Sequence, residues 1–350
     1  MGGPSSSGRR PDRSRPRGRL RDARRAGPSR ASPPPGFGRR RRLGIRGARR
    51  GRGVSGGRLL VTDRNALVLI ERARVHVHAG RVVYYATDED MVRRFNLPHA
   101  NVAVVMLGQG SSITQDAAAR LADENVLLAF AGTAGTPLHL GALTSYKATE
   151  RFVRAIPIYA SDEASLAAAK AIMRRRTAFM RASVNLTGLV GPEASIISAC
   201  DAFDTAMTGV TRHDALMSAE GDFAKRVYGA FSAAAGITSF ARDPGSRRDA
   251  MNRFVDHGNY LAYGVAGAAC WALGLPPSLS FCHGKTRPGG LVFDVADGWK
   301  DGVVVPLAAI AAAASWDEQR YRAAVTDLIE DKGLIAESIR TIDAALDAGE

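Results

Sequence analysis

Cysteine is scarce in this 350-residue sequence, and no apolar run is long. The three cysteines, Cys200, Cys270 and Cys282, form no CxxC pair and no disulfide framework, so a reducing cytoplasm is the simplest compartment. The longest nearly apolar stretches, 262–275 and 303–314, fall short of the roughly 18–20 residues that a membrane-spanning helix needs. The amino terminus carries no apolar leader of the kind that directs secretion. Acids are almost missing from the first 58 residues, where Asp12 and Asp22 stand against 19 arginines, a net of +17. The whole chain carries +14, so residues 59–350, with 29 basic and 32 acidic groups, come to −3. The positive balance therefore belongs to the leading segment, and the remainder is close to neutral.

That segment, 1–58, holds 13 Gly and 7 Pro and a single aromatic, Phe37. It cannot bury enough apolar surface to offset the entropy of ordering, and it reads as a disordered basic tail. Three explanations stay open. Its arginines would neutralise phosphates and release counterions as a nucleic-acid-binding arm. Arg- and Ser-rich, acid-poor composition also suits an organellar transit segment, although the Pro/Gly density opposes an amphipathic helix. Or the start is assigned too far upstream; the next methionine, Met91, lies inside the folded region, so such a start would use a non-Met codon near Val54 to Leu60.

Residues 59–145 read as a β-rich domain. Leu67 to Ile70 is an apolar run, Arg74 to His78 alternates with period two, and Ala79-Gly80 turns the chain into Arg81 to Tyr85, a hairpin signal. Val102 to Leu107 is a buried run, Thr114 to Glu124 a helix, and Val126 to Phe130 a further strand. From about 146 the pattern becomes helical, with Ala-rich amphipathic stretches at about 162–187, 193–208, 212–234, 249–275, 296–314 and 316–348. Gly/Pro punctuation separates most of them. Strands followed by helices predict an α+β chain: a small β-rich domain, 59–145, then a larger all-helical domain, 146–350.

Two motifs carry little. Val102 to Gly110 followed by a helix looks like a strand–GxG–helix dinucleotide fingerprint, but Ile113 stands at the third glycine position and the later acid is missing. A tight turn with a Ser or Thr helix cap accounts for it. His76 and His78 share a strand face with no third ligand near them, which suits a solvated face better than a metal site.

Three other pieces bear chemistry. On the 212–234 helix the apolar stripe is Leu216, Phe223, Val227 and Phe231, and Glu220 falls on it. A carboxylate facing a core is costly unless paired or coordinated; a salt bridge to a buried arginine, or a helix end reaching solvent, would also account for it. His283 lies in a basic, Gly-rich loop with Lys285 and Arg287. Asp294 and Asp297, three apart, open a helix in this reading, where an N-cap and an acid in the first turn suit the dipole, and where i and i+3 also share a face. Three carboxylates and one imidazole suit Mn²⁺ or Mg²⁺ better than a closed zinc site. A further cluster, Arg242, Arg247, Arg248 and Arg253, joins Lys285 and Arg287 as a candidate phosphate track on an otherwise neutral body.

Together, Glu220 with Ala224 to Tyr228, Asn252 to Gly264, and HGKTRPGGLVFDVAD at 283–297 closely resemble the CRISPR-associated integrase, the universal spacer-acquisition endonuclease of CRISPR systems. Residues 107–137 resemble its subtype I-F branch, and the likeness covers about 60–350. The resemblance implies a small β-domain and a larger helical domain, dimerised. It places the metal-binding glutamate, histidine and aspartate on Glu220, His283 and Asp297, with Asp294 as a neighbouring active-site acid. It implies attack by the 3′-hydroxyl of a short captured DNA on a repeat phosphodiester, or hydrolysis when water replaces the hydroxyl, with Mn²⁺ or Mg²⁺ bound. Its partners would be double-stranded DNA (prespacer and CRISPR repeat), a second copy of the chain, and a small adaptation subunit that in subtype I-F is fused to the helicase-nuclease. Members usually begin near the equivalent of residue 60, which sets the tail apart. Two rivals make different predictions: a non-catalytic DNA-binding scaffold, whose acids are only caps and surface pairs, and a metal-dependent phosphoesterase acting on a small substrate in a deep pocket.

Overall fold

The computed structural model describes residues 66–88, 91–97, 102–124, 126–131, 137–140, 149–245, 249–284 and 289–350. The tail at 1–58 and the expected phosphate contacts Arg247, Arg248, Lys285 and Arg287 lie outside the described residues.

Strands come first, as the alternation and apolar runs predict. In chain order they are β1 (Ala66–Ile70), β2 (Arg74–His78), β3 (Arg81–Asp88), β4 (Met91–Asn96), β5 (Val102–Leu107) and β6 (Ser112–Ile113); after helix α1 (Gln115–Asp123) come β7 (Leu127–Ala131) and β8 (Pro137–Leu140). One sheet has the order β1-β5-β7-β8, parallel except for the β7–β8 pair; the other has the order β4-β3-β2-β6. The expected hairpin is β2–β3, with His78 opposite Arg81. Ala79 and Gly80 both adopt positive φ, 48° and 73°, as a two-residue hairpin turn matched to strand twist requires. The strand–GxG–helix segment is the capped turn: Thr114 accepts a hydrogen bond from the Ala117 amide at the start of α1.

All six residues of β5 are buried. Ala103, Val104 and Met106 face the main core, whereas Val102, Val105 and Leu107 face a smaller core with Val75, Val82 and Leu121. A strand covered on both faces reads as a continuous apolar run, which is why no alternation marks it in the sequence.

The helices are α2 (Glu150–Ala160), α3 (Asp162–Ser183), α4 (Glu193–Thr208), α5 (His213–Ala234), α6 (Ala250–Ala272), α7 (Gly290–Asp297), α8 (Asp301–Ala313), α9 (Glu318–Asp331) and α10 (Leu334–Gly349). The chain is thus α+β in the expected sense, β-rich first and helical after. Helix α2 precedes the first of the expected stretches, and two of those stretches are each broken in two. The 316–348 stretch breaks at Gly333, whose φ of 59° ends α9 and opens α10. The 296–314 stretch is really α7 and α8, and α7 starts six residues earlier than expected.

Helix α6 runs through the middle of the helical part, with both small and large residues buried along it. Gly258 is required there: a Cβ would stand 2.3 Å from the Tyr321 hydroxyl of α9 and 2.6 Å from Val304 of α8. The large apolar groups of this core, Phe223, Phe231, Phe254 and Leu261 among them, are buried to 2% exposure or less. Each contributes roughly 1.5–3 kcal/mol by leaving water. The main core also includes Leu67, Leu127 and Ala129 of the first sheet, so strands and helices share one apolar interior. Among the described residues no helix is long and apolar enough to cross a membrane.

Candidate active site

Glu220 sits where its stripe places it. Leu216, Phe223, Val227 and Phe231 of α5 are buried, and the Glu220 side chain keeps 18% of its surface. Its Oε1 accepts a 2.6 Å hydrogen bond from Nη1 of Arg176, a fully buried arginine on α3. The salt-bridge account of a carboxylate on an apolar stripe is therefore realised. Arg176 also reaches Asp301, at the start of α8, through Nη2.

Asp294 and Asp297 do not open a helix. Helix α7 begins at Gly290, after Gly289 in the left-handed region (φ 73°), so Asp294 lies in its middle and Asp297 at its last position. The N-cap reading of Asp294 is corrected: its acceptors serve a distant loop. Oδ2 takes hydrogen bonds from the Ser280 hydroxyl (3.0 Å) and from the amides of Phe281 (2.6 Å) and Cys282 (3.0 Å). Oδ1 takes the His283 amide (3.2 Å) and faces His283 Nδ1 at 2.7 Å. A fully buried carboxylate is tolerable only with this many donors. Gly290 lets the loop come this close, since a Cβ there would stand 2.4 Å from Ser280 Cβ.

Because an ionised Asp294 can only accept, it fixes the proton of a neutral His283 on Nδ1 and leaves the Nε2 lone pair on the side of Asp297. Nε2 stands 3.5 Å from Asp297 Oδ2. The other Asp297 oxygen is 2.7 Å from the Lys300 ammonium, which also bonds Asp301 at 3.0 Å. A continuous chain of groups results: Glu220, Arg176, Asp301, Lys300, Asp297, His283, Asp294. It joins α3, α5, α7, α8 and the loop before α7.

The charges within it are strongly coupled. Burial alone would lower the Arg176 pKa, but Asp301, Glu220 and Asp297 outweigh it and raise it well above its ordinary range. Lys300 behaves likewise, with Asp297 and Asp301 overcoming burial. Burial pushes Asp297 and Asp301 up, yet Lys300 and Arg176 bring both below the usual carboxylate range, Asp301 to about 2. Burial, then Asp294, Asp297 and Glu220, push the neighbouring Cys282 thiol far up, so it is an S–H group rather than a nucleophile. Four carboxylates, Glu220, Asp294, Asp297 and Asp301, stand against two fixed cations, Arg176 and Lys300. With His283 neutral, the cluster holds two negative charges in excess.

Among the described residues no three His, Cys, Asp or Glu side chains stand close enough to surround a metal ion. The reason is visible in the pairs: Lys300 draws on Asp297 and Arg176 draws on Glu220. His283 and Asp297 are brought together; Glu220 stands across Arg176 from them. The donor set nonetheless fits a hard divalent cation. It offers carboxylate oxygens, one imidazole nitrogen whose other nitrogen is held by a carboxylate, and an uncompensated charge of the right size. His283, Asp297 and Glu220 could hold such an ion; Asp294, with both oxygens taken by the loop, is an orienting group.

The expected phosphate contacts within the described residues are partly engaged elsewhere. Arg242 donates to Asn252 Oδ1 at 2.8 Å and pairs with Asp256, so it pins the loop before α6 to that helix. Arg253 lies 3.9 Å from Glu318 and over the Phe254 ring, with 39% of its side chain exposed. His76 stacks on Tyr85 rather than joining a ligand cluster. Arg176, Lys300 and Asp301 are the residues sequence reasoning missed. For Arg176 a signal existed: it lies four residues from both Ile172 and Met180 on the buried stripe of α3, as Glu220 lies on that of α5.

Comparison with known proteins gives one consistent result. The family described as CRISPR associated protein Cas1 matches residues 67–321. The chain is similar to the CRISPR-associated endonuclease Cas1 of Pseudomonas aeruginosa (strain UCBPP-PA14), 36% identical over 287 residues, which is 77% of this chain and 89% of that protein. The same-named protein of Pectobacterium atrosepticum is 35% identical over 283 residues, 75% of this chain and 86% of that one. Among solved structures, a TtCas1–DNA complex superposes with a TM-score of 0.61 at 25% identity, covering 80% of this chain and 91% of that chain.

Proposed function

The chain belongs to the CRISPR-associated Cas1 family, and from that premise we propose that it is a divalent-metal-dependent DNA endonuclease and integrase. It inserts short foreign DNA fragments into a CRISPR array by transesterification. The observation that carries this reading is the pairing of His283 Nε2 with Asp297 inside a buried cluster of negative excess, with Nδ1 locked by Asp294.

In this reading Glu220, His283 and Asp297 hold Mn²⁺ or Mg²⁺. Bound there, the ion supplies a Lewis acid for a phosphoryl oxygen and offsets charge that develops in the transition state. The chain's own residues prepare the rest. Asp294 keeps the imidazole in one tautomer and one orientation. Lys300 and Arg176 hold Asp297 below the usual carboxylate range against the upward push of burial, and Arg176 fixes one oxygen of Glu220. The 3′-hydroxyl of the captured DNA releases its proton to solvent as its oxygen forms a new bond to the repeat phosphorus. The bond from phosphorus to the departing 3′-oxygen breaks, and that oxygen leaves as a hydroxyl after gaining a proton. Water in place of the attacking hydroxyl makes the same site an endonuclease. Arg247, Arg248, Arg253, Lys285 and Arg287 contact DNA backbones, with little base readout; Arg242 is held by Asn252 and Asp256 of α6. The partners in this reading are double-stranded DNA, a second copy of the chain, and a small adaptation subunit, fused to the helicase-nuclease in subtype I-F.

The test mixes the protein and Mn²⁺ with a labelled short duplex bearing free 3′-hydroxyls and a supercoiled plasmid carrying a repeat. Label joined covalently to the plasmid by the wild type, and lost in Glu220→Ala and in His283→Ala, is the expected result. Wild-type levels of product from either variant remove the assigned site.

A further inference from the structure

Arg176 and Asp301 are the members of the charged chain that lie on helices with none of the expected ligands, α3 and α8, and Arg176 is the one of the two that touches Glu220. We propose that it is the positioning residue of the site: it holds the Glu220 carboxylate by one oxygen and leaves the other for the divalent cation. This rests on the reading above that Glu220 is a ligand.

The geometry is specific. The guanidinium bridges two carboxylates on two different helices instead of forking onto one. Nη1 serves Glu220 Oε1 at 2.6 Å, Nη2 serves Asp301, and Nε has no partner among the described residues. No hydrogen bond among the described residues reaches Glu220 Oε2. The guanidinium is held from other sides as well. Its carbon lies 5.1 Å from the centre of the Phe223 ring, one turn beyond Glu220 on α5. That ring is itself stacked on Phe203 of α4, with centroids 4.8 Å apart and planes 14° from parallel. Met173 Sδ lies 3.9 Å from Nη1. The arginine therefore sits on a fixed aromatic platform, and with it the position of Glu220 relative to α7 and α8 is set.

A buried positive charge alone would not need this shape. A lysine could neutralise these carboxylates, as the Lys300 ammonium does for Asp297 and Asp301, but it has no planar fork to hold Glu220 and Asp301 on two separate nitrogens at a fixed separation. Groups that orient a metal's ligands typically change affinity by about 10–100-fold when altered. Simple removal of Arg176 would confuse two effects, because deleting a positive charge beside an anionic site itself favours a cation. Two variants hold the charge constant: Arg176→Lys, and the pair Arg176→Met with Asp301→Asn.

The experiment measures Mn²⁺ binding to the full chain from the electron paramagnetic resonance signal of free Mn²⁺. It uses wild type, both charge-conserving variants and Glu220→Ala, each checked for folding by circular dichroism. The second variant keeps the test decisive if the first fails to fold. The expected result is about 10–100-fold weaker binding in each folded charge-conserving variant, with binding lost in Glu220→Ala. Wild-type affinity in a folded charge-conserving variant, with loss in Glu220→Ala, overturns the positioning role and leaves the proposed function standing. Wild-type affinity in Glu220→Ala, or no binding by the wild type, overturns both.

Discussion

Replacing Asp294 by Asn changes few atoms and strikes the site through one side chain. Three donors converge on Oδ2, from Ser280, Phe281 and Cys282, so the amide oxygen is best placed there. The amide nitrogen then occupies the Oδ1 position, against the His283 backbone N–H and Nδ1. The backbone N–H cannot adapt and loses one of its two acceptors, keeping the Ser280 hydroxyl at 3.0 Å, at about 0.5–1.5 kcal/mol. The Oδ2 bonds also lose their charge assistance, and the combined cost is about 1–3 kcal/mol. That lies below the roughly 5–15 kcal/mol of a typical domain, so the variant folds, with a midpoint lowered by roughly 2–5 °C. The imidazole can adapt, by moving its proton to Nε2 so that Nδ1 accepts from the new amide. Nε2–H then points at Asp297, and the nitrogen is lost as a ligand. A wrong tautomer imposed by an Asp-to-Asn change costs about 10⁴ in a serine protease, and strand transfer here is expected to fall about 10²–10⁴-fold. Nitrogen-15 NMR of labelled histidine reads the tautomer, thermal unfolding reads the stability, and the plasmid assay reads the activity. An Asp294→Asn protein with the wild-type tautomer and full activity would refute the reasoning.

Other predictions follow from the same packing. Asp301 has a folded pKa of about 2 against an ordinary 3.8. A depressed carboxylate stabilises the fold above its unfolded pKa, so this contribution, about 2 kcal/mol, is present near neutrality and lost as pH falls from about 4 to about 2; an acid-unfolding series should show Asp301→Asn with a flatter limb in that window. Lys300→Met leaves Asp297 without its direct cation, while Asp301 keeps Arg176, and should cost about 3–5 kcal/mol in denaturant titration, the usual result of leaving a buried charge without its partner. Gly290→Ala brings a methyl to within 2.4 Å of Ser280 Cβ, pushing away the loop that carries His283; a loss of about 1–3 kcal/mol and weaker Mn²⁺ binding are expected, measured by chemical unfolding and by titration.

What the sequence made legible was whatever local periodicity encodes. The β2–β3 hairpin could be read from alternation and its Ala79-Gly80 turn. Helices α3 to α6 could be read from their apolar spacing, and Glu220 from its conflict with an apolar stripe. The site's counter-ions could not be read this way. Lys300 and Asp301 acquire meaning only when α7 and α8 bring them against Asp297 and Arg176. Asp294 shows the same limit from the other side: acid-before-helix chemistry suggested a cap, but its five donors come from residues 280–283, drawn in by the close approach at Gly290. Arg176 is a different kind of miss, because a charge on the buried stripe of α3 is the same signal that singled out Glu220. The helix breaks at 298–300 and at Gly333 each carry a glycine, a stop signal masked because the flanking residues keep a helical spacing.

The anomalous scattering of Mn²⁺ in crystals of the protein tests the metal assignment without passing through activity. The expected density is a single peak bound by His283 Nε2 and by oxygens of Asp297 and Glu220, with Nδ1 still held by Asp294 and Arg176 still on the other Glu220 oxygen. A peak on Asp294 or Asp301 that leaves Glu220 and His283 aside, or no peak at a concentration that supports strand transfer, would contradict the site described here.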